Sequence, residues 1–347
     1  MPVFKANKNI VYILYVLLAT SFLFLVGECI AYKILKSSNQ SFSLFYLKEK
    51  KDNNSIDFLN ECCGYNEADP LLGWAMTKEQ LAKRNLKTKN NCVYFENILP
   101  DSKDTLIIYI SGGSTSDVGL MPDNWPVALF NILKEKKICC QLYVGAIGAY
   151  SSSQELLKFI RDGLPVKPDI HISYCGANEY ENPYFVSSFE QNFYEKSFAK
   201  TSKLFPNLVY WVKTKFHLNQ RSMTLKPPPT ADAIGQWKKN METMKSLADG
   251  NHYTFCGILQ PVAGIGNINK YSQDVGTLEF VKHYRIFYPL ALEHIKETEY
   301  LTNFTNIFNN VQEPFFDDCH VKKQYQKIIA DSVYSLIEKK MKISDFQ

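Results

Sequence analysis

The sequence shows no strong surplus of charge of either sign. Lys and Arg number 39 and Asp and Glu 35, a net +4 over 347 residues, a balance that speaks against a nucleic-acid binder. Cysteine is sparse, and nine in a chain of this length is too few for a disulfide scaffold. No G-x-x-x-x-G-K-[ST] phosphate loop occurs, and AGIGN at 263–267 lacks the third glycine of a dinucleotide loop. No His/Cys pairs stand at zinc spacing beside Asp317, Asp318, Cys319 and His320, so neither metal nor cofactor is expected. Internal repeats are absent, and low complexity is confined to Ser151–Ser153 and Pro227–Pro229. Hydrophobic residues at 46% and charged residues at 21% exclude wholesale disorder.

What the sequence does contain is one long apolar run, which a mean hydropathy of −0.22 conceals. Positions 9–27 carry no charge, and the 18 residues from Ile10 to Gly27 make about 27 Å of helix, close to the hydrocarbon thickness of a bilayer. Lys5 and Lys8 precede the run and favour a cytoplasmic N-terminus, although Lys33 and Lys36 follow it. A cleaved signal peptide fits less well, because its apolar region is shorter and ends in small residues, for which GECIAY is a poor match. Glu28 disfavours a lipoprotein anchor at Cys29. The expected layout is a cytoplasmic tail (1–8), a transmembrane anchor (9–31), a stalk and approach region (32–100) and an extracytoplasmic domain (101–347). A helical, aromatic-rich insertion interrupts that domain at about 183–250. In such a compartment disulfides are permitted, and Cys62 or Cys63 with Cys92 is the expected pair.

From Thr105 the pattern changes. LIIYI (106–110), QLYVGAI (141–147), DIHISYC (169–175) and YTFCGIL (253–259) are short apolar runs, as expected for strands buried on both faces. Helical stretches lie at about 124–136 and at 151–163, where Ser152 and Glu155 have capping-box spacing and Gly163 fits the stop. A last helix at 322–340 puts Ile328, Ile329, Val333, Leu336 and Ile337 on one side. Strands and helices alternating at this spacing predict right-handed βαβ units, a central parallel sheet and an α/β fold.

Ligands of such sheets bind beyond the carboxyl ends of the strands. The first strand runs into Gly112-Gly113-Ser114-Thr115-Ser116, the second into Gly145-Ala146-Ile147-Gly148, and the third into Gly176-Ala177-Asn178-Glu179. Asp317-Asp318-Cys319-His320 precedes the last helix. A hydroxyl, bare backbone N–H groups, a side-chain amide and an Asp/His pair are the components of acyl transfer. Each has a plain structural alternative: a turn for Gly112-Gly113, a helix entry for Gly148, a loop cap for Asn178, a helix cap for Asp317. Their joint placement at successive strand ends favours chemistry. An α/β-hydrolase elbow is excluded, because G-x-S-x-G would need Gly where Ser116 stands. His171, inside a buried strand, reads as structural.

The pattern resembles the SGNH (GDSL-like) hydrolase family in its GGST variant. The blocks are GGSTS (112–116), VGAIGAYSSSQE (144–155), CGANE (175–179) and DDCH (317–320), spanning about residues 104–340. The departures are Gly113 where Asp often stands and Glu179 where Asp is usual. The resemblance implies a three-layer α/β/α sandwich of flavodoxin-like type. It also implies Ser114 as nucleophile, His320 as general base and Asp317 as its orienting carboxylate. The oxyanion hole would be the Ser114 and Gly148 N–H groups and the Asn178 amide, with Ser116 as reserve nucleophile. The function so implied is a membrane-anchored serine esterase removing acyl, above all acetyl, groups from an envelope polysaccharide or glycolipid. An O-acyltransferase passing the acyl group to a glycan hydroxyl, and a non-catalytic envelope binding protein, are the alternatives.

Overall fold

The computed structural model describes residues 8–36, 66–69, 71–76, 78–100, 102, 104–179, 230–266 and 279–346, together with Leu208, Trp211, Val212 and Lys215. Residues 37–65 of the expected stalk and approach region (32–100), Cys62 and Cys63 among them, and the insertion over 183–207 and 216–229 lie outside them. The chain divides into two units, one formed by Met1–Ser55 with Ser188–Lys226, the other by Ile56–Ser187 with Pro227–Gln347.

In the first unit a helix, α1, runs from Lys8 to Lys36. Phe22 and Leu23 are 65% and 70% exposed, whereas Glu28 and Ala31 are buried. The Glu28 carboxylate accepts the Leu208 N–H at 2.7 Å, which gives the buried acid a donor. Among the described residues no helix is long and apolar enough to cross a membrane, so the anchor expected over 9–31 coincides with α1 without being established by it.

The second unit begins with a hairpin, β1 (Asn66–Asp69) and β2 (Gly73–Met76), and a short helix, α2 (Lys78–Lys83). The strands that follow are β3 (Thr88–Lys89), β4 (Cys92–Asn97), β5 (Leu106–Gly112), β6 (Cys140–Val144), β7 (Ile170–Cys175), β8 (Thr254–Leu259) and β9 (Leu301–Asn303). They form one sheet in the order β3-β4-β6-β5-β7-β8-β9. The five from β6 to β9 are parallel, and β3 and β4 are antiparallel additions. The parallel part therefore has the order 2-1-3-4-5, whose switch point lies between β5 and β7. All six residues of β7 are buried, as a strand covered on both faces requires.

Helices cover both faces. On one side α3 (Trp125–Glu135) and α7 (Gln326–Lys340) pack Leu129, Leu133, Val333 and Ile337 against Ile108, Ile110 and Ile172. On the other, α5 (Thr230–Asn251) and α6 (Glu279–Lys296) bring Trp237, Met241, Tyr284 and Tyr288 onto Phe255 and Leu259.

Several local expectations shift. The helix expected at 151–163 is α4, Ser152–Lys158, followed by a π turn at Phe159–Gly163. Its capping box uses Ser151 and Gln154, not Ser152 and Glu155. The reason is that the Ser152 hydroxyl is committed elsewhere, donating to Glu179 Oε2 at 2.8 Å. β4, within the stretch read as an approach region, pairs with β6 along five residues of the sheet. Residues 230–250, read as insertion, form most of α5 and bury Trp237 and Met241. Cys92 is a free, buried thiol, and Cys62 and Cys63, its expected partners, lie outside the described residues. The Cys92 sulfur sits 3.9 Å from the Tyr109 hydroxyl.

Candidate active site

β5 ends in Gly112, and Ser114–Ser116 form a single 3-10 turn. Gly112 is tightly enclosed, since a β-carbon there would lie 2.7 Å from Ser116 Oγ and 3.0 Å from Tyr174 O. The turn leaves Ser114 half-buried and buries its neighbours Thr115 and Ser116. Ser116, the reserve nucleophile, is fully buried, and its oxygen accepts the Trp125 indole N–H at 3.0 Å. The Thr115 hydroxyl donates to Gln260 Oε1 at 3.0 Å. Of the three hydroxyls, Ser114 alone faces a base.

That base is His320. Its Nε2 lies 2.7 Å from Ser114 Oγ across 206 residues of sequence, and its Nδ1 lies 2.7 Å from Asp317 Oδ2. The other oxygen of Asp317 accepts the His320 N–H at 2.7 Å and the Cys319 N–H at 3.0 Å. One carboxylate thus fixes both the ring and the backbone that carries it. Burial alone would raise the Asp317 carboxyl, but the hydrogen bonds and charge of His320 and the two amides outweigh it and hold it below the usual value. The loop is tied down further: Ala263 donates to Asp318 O at 2.7 Å, Phe316 donates to His320 O at 3.0 Å, and the Tyr284 hydroxyl donates to the Asp318 carboxylate. Burial and the neighbouring Asp317 charge raise the Asp318 carboxyl.

Asp317, Cys319 and His320 also lie within 4.8 Å of one another as possible metal donors. Both ring nitrogens are engaged by Asp317 and Ser114, and burial pushes the Cys319 thiol well up, away from the thiolate a metal binds. The residues present do not fit a metal.

Asn178 follows β7. Its Nδ2 donates to Tyr150 O at 2.9 Å and lies 2.5 Å from where a β-carbon on Gly113 would stand. Glycine at 113, one of the two departures from the family pattern, is thereby explained: any side chain there meets the Asn178 amide. The other departure, Glu179, is buried and accepts the Ser152 N–H at 2.7 Å. This contact fastens the end of β7 to the start of α4, and burial lifts the Glu179 carboxyl to about 7. Asn178→Ala is expected to lose about 10²–10³ in kcat, the usual effect of one oxyanion donor. Gly113→Ala is expected to give a similar loss by displacing the same amide. Initial rates on an activated acetyl ester, with circular dichroism as a folding check, measure both. Unchanged kcat in Asn178→Ala would remove Asn178 from the hole.

Gly148 is beside Ser114, with a β-carbon on it falling 4.0 Å from Ser114 Cβ. Its N–H, expected to face an oxyanion, instead donates to Asp117 Oδ2 at 2.8 Å. The carbonyl of the same residue accepts the Trp74 indole N–H at 3.1 Å. Neither Asp117 nor Trp74 stood out in the sequence. Asp117 carries one visible signal, its place three residues after Ser114 at the end of one turn. Trp74 comes from the β1–β2 hairpin, which Arg161 (2.7 Å to Asp69 Oδ2) and Gln154 (2.8 Å to Leu72 O) hold in place. His171 is structural, as expected: it is buried, its ring stacks on Phe159 with centroids 3.8 Å apart, and Ser111 Oγ lies 2.7 Å from its Nε2.

No family model matches the sequence, and no curated protein matches it either. Solved structures do show similarity. An acetyl xylan esterase is 15% identical, with 67% of this chain and 100% of that one covered and a TM-score of 0.42. A GDSL-like lipase from Bacteroides thetaiotaomicron is 13% identical, covering 68% of this chain and 89% of its own, with a TM-score of 0.40. A psychrotrophic esterase from a Pseudoalteromonas species is 13% identical, covering 67% of this chain and 97% of its own, with a TM-score of 0.41. These identities and scores are low, and the chemical reading of the site stands on its own geometry.

Proposed function

We propose that this chain is a serine ester hydrolase of the SGNH type. The observation that carries the reading is the continuous Ser114–His320–Asp317 relay, with both links at 2.7 Å. In this mechanism Ser114 Oγ attacks the ester carbonyl carbon while its proton passes to His320 Nε2, and the carbonyl electron pair becomes an oxyanion. Collapse breaks the bond to the leaving oxygen, which takes the proton from His320 and departs as an alcohol. Water, deprotonated by the same ring, then releases the acid and restores Ser114. Asp317 keeps Nδ1 protonated and stabilises the imidazolium. The Asn178 amide, placed beside Gly113 and the nucleophile, is the side-chain donor for the oxyanion.

The substrate class proposed is an acylated, above all acetylated, envelope polysaccharide or glycolipid, with the catalytic domain outside the cytoplasm and α1 as its membrane tether. Support for the tether is the charge-free run in the sequence together with the exposed Phe22 and Leu23 on a 29-residue helix. Surface proteolysis of intact cells tests the topology.

The decisive experiment is labelling of the full chain with a fluorophosphonate, followed by peptide mapping. The adduct is expected on Ser114. A folded protein that takes no label would instead be a binding protein of the same fold. Adding an acceptor glycan to the active enzyme, and comparing acetate release with acetyl transfer, separates hydrolysis from O-acyl transfer.

A further inference from the structure

The family resemblance implies the Gly148 N–H as a backbone donor of the oxyanion hole, with the Ser114 N–H and the Asn178 amide. In the structure the Gly148 donor is taken by Asp117, whose Oδ2 accepts it at 2.8 Å while Oδ1 accepts the Leu120 N–H at 3.1 Å. The Asp117 amide closes the nucleophile's turn by donating to Ser114 O at 3.2 Å. A β-carbon on Gly148 would lie 3.8 Å from Asp117 Oδ2 and 4.0 Å from Ser114 Cβ, so carboxylate and nucleophile flank one peptide. That peptide is held firmly. Trp74 binds the Gly148 carbonyl, the Tyr150 hydroxyl donates to Trp74 O at 2.5 Å, and Ala149 is kept at φ +63, a left-handed conformation unfavourable for a residue with a β-carbon. With the peptide fixed, the part free to change is the Asp117 side chain.

We propose that Asp117 is a positioning residue for the oxyanion hole: its carboxylate holds the Gly148 N–H in the resting protein and yields it to the substrate's carbonyl oxygen as Ser114 is acylated. The proposal rests on the serine-esterase reading. Its physical basis is repulsion. An oxyanion bound to Gly148 would stand beside a buried carboxylate, and two like charges in a poorly solvated site disfavour each other. A neutral acid at the same place removes the repulsion. Burial pushes the Asp117 carboxyl up to about 6, against the pull of the Gly148, Leu120 and Gly119 amides and of Arg84. The charged or titratable groups bearing on it are Arg84, whose guanidinium donates to Gly119 O, the Tyr150 phenol and, across Ser114, His320 with Asp317.

The test compares Asp117→Asn with the wild-type full chain on an activated acetyl ester across pH. The amide keeps the size of the carboxylate and still accepts the Gly148 N–H, but never carries charge. Both proteins keep Ser114, His320 and Asp317, so the comparison is made as the ratio of variant to wild-type kcat at each pH. The ratio is expected near one at about pH 5 and to rise at least ~10-fold by about pH 8, with KM little changed, because the hole serves the transition state. A ratio that is flat with pH, or below one throughout, overturns the proposal and identifies Asp117 as a structural brace. If Asp117→Asn does not fold, Asp117→Ser is read by the same ratio. Fluorophosphonate labelling of wild-type Ser114 separates the two readings. With label present and a flat ratio, the esterase assignment stands and this proposal falls; with no label, both fall.

Discussion

Ser114→Ala is expected to lower kcat on an activated acetyl ester by about 10⁶-fold, the scale seen when the nucleophile of a serine triad is removed. No neighbouring hydroxyl can take over. Ser116 is fully buried beneath the Trp125 indole, and the Thr115 hydroxyl is spent on Gln260. His320 has one ring nitrogen left for a nucleophile, and Ser114 is what it meets. The substitution removes a single oxygen from a half-buried position, so folding should be unaffected. Equal thermal transitions with activity at the background of uncatalysed hydrolysis is the expected pair of results. Wild-type-like turnover would end the assignment.

Asp317→Asn is expected to cost about 10⁴ in kcat while leaving the fold intact. The new amide oxygen can still accept the His320 and Cys319 N–H groups, so the loop keeps its shape. Its NH₂, however, now faces His320 Nδ1 and donates to it. The ring then carries its proton on Nε2, pointing at Ser114 Oγ, and no lone pair remains to accept the serine proton. The variant also differs in its acid response. Asp317 is held below the ordinary carboxyl value in the folded protein, whereas burial raises Asp117 and Asp318. A carboxyl held low in the folded state contributes stability above its ordinary value near 4 and loses it as pH falls through the folded value. Wild type should therefore lose stability relative to Asp317→Asn as pH drops from about 5 to about 2. Thermal melts across that range, beside kcat at neutral pH, check both effects; kcat within tenfold of wild type would show that the carboxylate does not set the tautomer.

The parallel sheet was legible in the sequence because its strands are buried on both faces and so appear as short, predominantly apolar runs. LIIYI and DIHISYC correspond to β5 and β7, the two strands at the switch point. β4 was not legible as part of the sheet: CVYF at 92–95 is an apolar run too, but the strand is antiparallel and its partner β6 comes some fifty positions later. Ser114, Asp317, His320 and Asn178 could be picked out because the chemistry needs those side chains at strand ends. What escaped was which hydrogen bond each backbone N–H makes. Gly148 exposes an N–H in any reading of the sequence, and only the fold shows Asp117 sitting on it. The capping residue of α4 moved by one position for a similar reason: Glu179, distant in sequence, claims the Ser152 hydroxyl.

The antiparallel strand β4 has a practical consequence. Cutting the chain at residue 101, where sequence alone would start the catalytic domain, strips the cover from β6 and leaves a row of unpaired backbone groups along Cys140–Val144. An exposed edge of that kind recruits strands from other molecules, so the shortened protein would be prone to self-association. The same cut removes Trp74, and with it the indole that holds the Gly148 carbonyl. Inactivity and aggregation of such a fragment would then report on a missing edge strand and a lost brace, and say nothing about whether Ser114 is a nucleophile.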